Sequence, residues 1–352
     1  MGSGNFEEYI ADRCILHIGP PKTATTTIQR TLRRAAPQLI SSGVLYPSVA
    51  VNHRFLATLC ASDPMRLLQV SKHNLTLEDV TKNNTDSRRE FEDEFYATKP
   101  KVLLLSSEHL VQLHEDRAGL NTLRNYLLKF AKRIEVVFYV RDPLLLTISR
   151  LFHGIKRGDR RLNTPLAAIP ELPAPQIIEA YRAVFGSESL KLVMFPGDPP
   201  IKSDIMASFW NAAGLSALGR NIETMSLNQS LSGAGLLIAD ALSDIRHESL
   251  GHVMNGFQLQ HIDGPKLRLE AGSVALLRAR CEETYIYFRE TWGIEFPDCD
   301  LAGPPREEQN LFTDEAVQGI AQTISDLAEE LTSVRQKAAH LRRKLKQERN
   351  KH

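Results

Sequence analysis

The sequence is poor in cysteine and has no cluster of metal ligands. Its four cysteines, Cys14, Cys60, Cys281 and Cys299, stand far apart and form neither a CxxC pair nor a ligand pattern, so they read as reduced thiols with no metal site. No apolar run approaches the roughly 20 residues that span a bilayer. The opening MGSGNFEEYIADR lacks the apolar core of a signal peptide, and Phe6 stands where a myristoylation pattern needs serine or threonine. A cytoplasmic protein without a transmembrane segment is therefore expected, and the Asn-x-Ser/Thr triplets beginning at Asn74, Asn83 and Asn228 read as chance matches. Excess charge is missing too. Lysine and arginine total 43 against 42 aspartates and glutamates, which removes any global pull on nucleic acid or anionic membrane and makes any anion site a local one.

What is present is enough for one large globular domain, or for a domain plus an appendage: 352 residues, 42% of them apolar and 24% charged. Short apolar runs recur at 14–18 (CILHI), 101–107 (KVLLLSS), 134–140 (IEVVFYV) and 190–195 (LKLVMF). Amphipathic stretches separate them, the pattern of buried parallel strands joined by helical crossovers, so the expected class is α/β with helices on both faces of a central parallel sheet. Helices are expected from Thr25, over 120–132, and from Pro143, where Asp142 supplies the cap and proline takes the first helical position. Further helical patterns cover 175–185, 201–213, 231–246 and 265–292, and the proline-rich stretch 158–175 reads as irregular. A break at LAGPPREEQ divides a body of residues 1–300 from a tail of 301–352. In the tail Ile320, Ile324, Leu327, Leu331, Val334, Ala338, Leu341 and Leu345 keep heptad spacing. That tail either dimerises with a second copy or lies back on the body, and its basic end LRRKLKQERNKH reads as a solvated helix end.

The most informative segment is CILHIGPPKTATTTIQRTLRR, in which a strand enters a loop with Gly19, Lys22 and three consecutive threonines before a helix begins. Free N–H groups at the helix start, the helix dipole, the lysine charge and the hydroxyls together make an anion site. An ordinary βα turn with a surface lysine is the plainer alternative for the segment alone. It is not the nucleoside-triphosphate loop GxxxxGK[ST], because Lys22 follows Gly19 by three residues with no glycine directly before it. A second element, IEVVFYVRDPLLLTISRLFHGIKRG, puts Arg141 at a strand end and Ser149 on the following helix, two turns beyond Asp142, where the two can grip one anion.

GPPKTATTTIQ resembles the 5′-phosphosulfate loop of the sulfotransferases that use 3′-phosphoadenosine-5′-phosphosulfate (PAPS). Pro21, Lys22, Thr23, Thr25 and Thr26 stand in matching places, and Ala24 replaces the family glycine. The Arg141–Ser149 pair, about 120 residues on, is similar to the family's 3′-phosphate motif. The likeness spans roughly residues 12–295. It implies a P-loop-like sulfotransferase fold with PAPS as co-substrate, and a nucleotide site of Gly19, Pro21, Lys22, Thr23, Ala24, Thr25, Thr26, Arg141 and Ser149. It also implies Lys22 as the group that stabilises the leaving 5′-phosphate in a loose in-line transfer. Glu108, directly after VLLLSS, resembles the carboxylate base of some carbohydrate and bacterial members, with His109 and His53 as competing bases; Glu108 instead capping a helix is the alternative. A P-loop kinase and a non-catalytic nucleotide-binding protein are the rival functions. The acceptor, a glycan or small molecule, is expected to meet residues 50–95, 155–175 and 250–265.

Overall fold

The computed structural model describes residues 9–197, 202–225, 230–247 and 258–349. The opening segment, Asn228 and part of 250–265 lie outside them. Five strands form one all-parallel sheet: β1 (Arg13–His17), β2 (Val44–Leu45), β3 (Val102–Ser106), β4 (Ile134–Val140) and β5 (Leu190–Met194), in the order β2-β3-β1-β4-β5. Four are the expected apolar runs, and β2 comes from the GVLYP segment.

Strand alternation sorts the side chains into two layers. Ile15, Leu104, Val137 and Tyr139 point to one face, where α1 (Thr25–Arg34) and α2 (Ala36–Ser41) supply Ile28, Leu32 and Leu39. Phe209 and Trp210 join that layer from the later helix Lys202–Ala212. Leu16, Leu103, Leu105, Val136 and Phe138 point to the other face. There they meet Leu56 of α3 (Phe55–Cys60), Val70 of α4 (Leu68–Lys72), Phe91 and Phe95 of α5 (Leu77–Thr98), and Leu123 and Leu127 of α6 (Arg117–Leu127). Each such fully buried side chain contributes about 1.5–3 kcal/mol, so the sheet is covered on both faces as a parallel sheet requires. Residues 50–95, expected to help build an acceptor pocket, are mostly helical. The longest helix among them, α5, opens with a reciprocal cap in which Asp79 N–H bonds the Thr76 hydroxyl at 3.1 Å and Thr76 N–H bonds the Asp79 carboxylate at 2.9 Å.

After β4 come α7 (Pro143–Arg157), α8 (Ala174–Phe185), α9 (Lys202–Ala212), α10 (Ser216–Gly219) and α11 (Gly233–His247). The expected helix over 265–292 is two helices, α12 (Ala271–Arg280) and α13 (Glu282–Trp292), because Cys281 with ψ −1° ends the first. The last is α14 (Asp314–Arg349), one continuous helix of 36 residues.

The chain forms two compact units. One takes Met1–Leu146, Glu171–Asn228 and Glu283–Phe296 and holds the whole five-stranded sheet; the other takes Thr147–Pro170, Gln229–Glu282 and Pro297–His352. The boundary expected near residue 300 is thus only one edge of a unit that also includes 147–170 and 229–282. Within that second unit the start of α14 packs closely, since a β-carbon on Gly319 would stand 2.5 Å from the His261 carbonyl oxygen. Further along, the heptad residues Ile324, Leu331, Val334 and Leu341 are 49–63% exposed. Among the described residues no helix is long and apolar enough to cross a membrane, and no group of His, Cys, Asp and Glu is placed to hold a metal ion.

Candidate active site

The loop after β1 is held in an uncommon backbone conformation. Lys22 and Ala24 have φ of 74° and 58°, while Thr23 between them does not. Alternation of this kind turns successive N–H groups toward one side and makes an anion-binding nest. Ala24 is the N-cap of α1 and makes no side-chain cap bond, so the first N–H groups of that helix are left for a ligand. The Thr23 hydroxyl turns inward and donates to the Pro20 carbonyl at 2.7 Å, fastening the loop, and Thr25 is buried beside it. Thr26 is half-buried.

Gly19 is required for space. A β-carbon there would lie 2.4 Å from Nε2 of His17. His17 is the last residue of β1 and forms the floor of the loop, with Nδ1 2.8 Å from the Ser106 hydroxyl and the ring packed edge-on against Tyr139 and Phe209. Its Nε2 is buried with no partner among the described residues and faces Gly19. Burial lowers the His17 pKa to about 3, so the ring is neutral. No signal in the sequence separated this histidine from an ordinary strand residue.

Arg141 leaves the end of β4 and reaches the loop: its Nη1 donates to the Lys22 carbonyl at 2.7 Å, and its guanidinium lies over the Phe195 ring, 5.0 Å from the centroid. The turn that aims it is built as expected. Asp142 accepts the Leu145 N–H at 3.0 Å and the Tyr285 hydroxyl at 2.9 Å, and Pro143 opens α7. Ser149 follows on α7, in the part that belongs to the second unit.

β1 and β3 are neighbours in register, His17 opposite Ser106, and the Ser107 N–H bonds the His17 carbonyl at 2.9 Å. Glu108 therefore emerges one strand over from the loop. It opens a short 3₁₀ helix, Glu108–Glu115, whose N-cap Ser107 makes no side-chain cap bond. The Glu108 carboxylate instead accepts a 2.7 Å bond from the buried Gln29 of α1, a partner the sequence did not single out.

The two histidine candidates differ. His109 Nδ1 is 3.1 Å from the Gln69 side-chain oxygen and so carries the proton; Nε2 keeps its lone pair, 3.8 Å from Glu108 and 3.4 Å from the Asn52 amide. Burial lowers its pKa, against the opposing pull of Glu108. His53 is fully buried, and both ring nitrogens are used: Nδ1 accepts the Ser106 N–H at 3.1 Å and Nε2 donates to the Pro47 carbonyl at 3.1 Å. Of the two histidines, His53 is thus the one whose ring is fully engaged by the backbone. No nitrogen is left to take a proton, and burial lowers its pKa to about 4.

No protein-family model and no curated protein matches the chain. Solved structures that resemble it include a sulfotransferase from Alicyclobacillus acidocaldarius, at 15% identity over 68% of this chain and 96% of that one, with a TM-score of 0.41. The sulfotransferase domain from the curacin biosynthetic pathway is similar at 11% identity over 78% of this chain and 98% of that one, with a TM-score of 0.33.

Proposed function

We propose that the chain is a sulfotransferase that carries a sulfuryl group from PAPS to a hydroxyl or amine of a carbohydrate or small-molecule acceptor. The observation that supports it most is the 2.7 Å bond from Arg141 to the Lys22 carbonyl. It joins the two segments that resemble the donor-binding motifs, at the place where an open parallel sheet binds ligands: from β1 the chain moves toward β2 on one side of the sheet, and from β4 toward β5 on the other.

In this reading the loop N–H groups, Thr25, Thr26 and Lys22 hold the 5′-phosphosulfate, and Arg141 with Ser149 holds the 3′-phosphate. The acceptor oxygen or nitrogen attacks sulfur in line while the bond from sulfur to the bridging oxygen breaks. Lys22 stabilises the charge that collects on that oxygen, and adenosine 3′,5′-bisphosphate leaves. The acceptor's proton passes to Glu108, whose carboxylate Gln29 orients. His109 is the reserve base, with its unprotonated Nε2 beside Glu108 and the Asn52 amide.

The test is transfer of labelled sulfate from PAPS to acceptors in a cell extract. Wild-type protein should transfer label without magnesium and Lys22→Ala should not; equal labelling by both, or a requirement for ATP and magnesium, overturns the reading.

We propose as well that α14 pairs with a second copy. Ile324, Leu331, Val334 and Leu341 of the heptad stripe are exposed, and the charges are largely segregated in sequence: Asp314, Glu315, Asp326, Glu329 and Glu330 in the first half, Arg335, Lys337, Arg342, Arg343, Lys344, Lys346 and Arg349 in the second, with Glu348 the one acid there. Antiparallel pairing sets opposite charges side by side, whereas parallel pairing stacks like on like.

A further inference from the structure

Helix α7 carries Arg150 and Gly154 one turn apart on the same face. Past its end the chain turns back at Gly158, φ 76°, and the N–H groups of Asp159 and Arg160 both bond the Gly154 carbonyl, at 2.9 and 3.2 Å. Arg160 is thereby laid back against the helix. A β-carbon on Gly154 would stand 2.6, 2.9 and 3.1 Å from Cδ, Cγ and Nε of Arg160, so only glycine admits this stem. The charge of Arg160 is felt at Arg150, where it adds to burial in lowering the pKa.

The Nη1 atoms of Arg150 and Arg160 are both buried without a hydrogen-bond partner among the described residues. The acidic groups along this stretch are engaged elsewhere. Asp159 takes Arg157 at 3.2 Å, and Asp240 accepts the Leu162 N–H at 2.9 Å through its carboxylate and Arg161 at 2.6 Å through its backbone carbonyl. A buried guanidinium nitrogen left without a partner on each of two neighbouring arginines is costly, and guanidinium forks match the oxygens of a tetrahedral anion. We propose that Arg150 and Arg160, joined across Gly154, form a binding site for one tetrahedral oxyanion, the phosphate or sulfate ester of a ligand. The ester is a group that an acceptor already carries, the donor's 3′-phosphate being assigned to Arg141 and Ser149. The site itself does not depend on the proposed sulfuryl transfer.

The experiment is calorimetric titration of the full chain with inorganic phosphate and with sulfate, at constant ionic strength in chloride, for wild type, Arg150→Gln and Arg160→Gln. Saturable binding that weakens about ten-fold or more in each variant is expected. In chloride alone each variant should melt no lower than wild type, because one of two repelling charges is gone. No saturable binding, or unchanged affinity in variants that melt lower, overturns the site. The source is read with adenosine 3′,5′-bisphosphate against adenosine 5′-phosphate. If Arg150→Gln erases the advantage of the 3′-phosphate, the site is not an acceptor's and the proposal falls. If that advantage survives while inorganic sulfate binding is lost, an acceptor supplies it. Lys22→Ala should leave inorganic sulfate binding at Arg150 intact, so failure of the catalytic reading and failure of this site give different results.

Discussion

At Ala24 a β-carbon occupies left-handed backbone, φ 58°, where the resembled loop has glycine. That conformation costs an L-residue roughly 1–2 kcal/mol, partly offset by the roughly 0.5–1 kcal/mol that glycine loses through extra freedom when unfolded. Ala24→Gly should therefore raise the melting temperature by a degree or two without weakening nucleotide binding, and scanning calorimetry checks it. His17 and His53 are folded in as neutral rings with pKa values of about 3 and about 4, below the ordinary 6.5. The unfolded chain takes up protons below pH 6.5 and the native chain does not, so their stabilisation is complete above 6.5 and is lost as the pH falls toward 4. Each contributes a slope of up to about 1.4 kcal/mol per pH unit. Denaturant unfolding from pH 7 to 4 should show this loss, and His17→Gln should remove one of the two contributions. For Glu108→Gln the expected outcome is a large fall in kcat with nucleotide affinity nearly unchanged; full activity would transfer the base role to His109.

Elements differ in how openly the sequence announces them. The Asp142-Pro143 start of α7 and the apolar runs of β1, β3, β4 and β5 are local signals, and they were legible. Helix α5 has its cap in Thr76 and Asp79, yet its polar surface and sparse apolar positions hid it. Helix α14 is legible as a heptad, but only the exposure of Ile324, Leu331, Val334 and Leu341 shows that most of the seam stands open. Sedimentation should find a dimer that Leu331→Glu converts to monomer. Antiparallel pairing centred between Leu331 and Val334 sets Ile324 against Leu341 of the other copy. Mixed Ile324→Cys and Leu341→Cys proteins should cross-link and neither alone should; the reverse result assigns a parallel pair.

For the whole molecule, the decisive fact is strand order. Because β1 sits between β3 and β4, three segments far apart in sequence, the 19–24 loop, Glu108 and Arg141, all leave the carboxyl end of the three central strands. A ligand bound across them stabilises the unit that contains the sheet. Adenosine 3′,5′-bisphosphate at a hundred times its Kd should add about 2.7 kcal/mol without magnesium, read as a rise in melting temperature. Arg141→Ala should shrink that rise, and an identical response in the variant would remove Arg141 from the nucleotide site.

By itself the sequence determined the α/β class, four of the five strands, the strand-loop-helix placing of residues 19–24 and the strand-end position of Arg141, since each depends on neighbours within a few residues. Tertiary structure alone decided that Arg141 grips the Lys22 carbonyl across 119 residues and Gln29 grips Glu108 across 79. It also decided that His17 floors the loop and that His53 has no nitrogen to spare. Those contacts follow from parallel register and from which strand lies beside which, and chain-local periodicity carries no record of either.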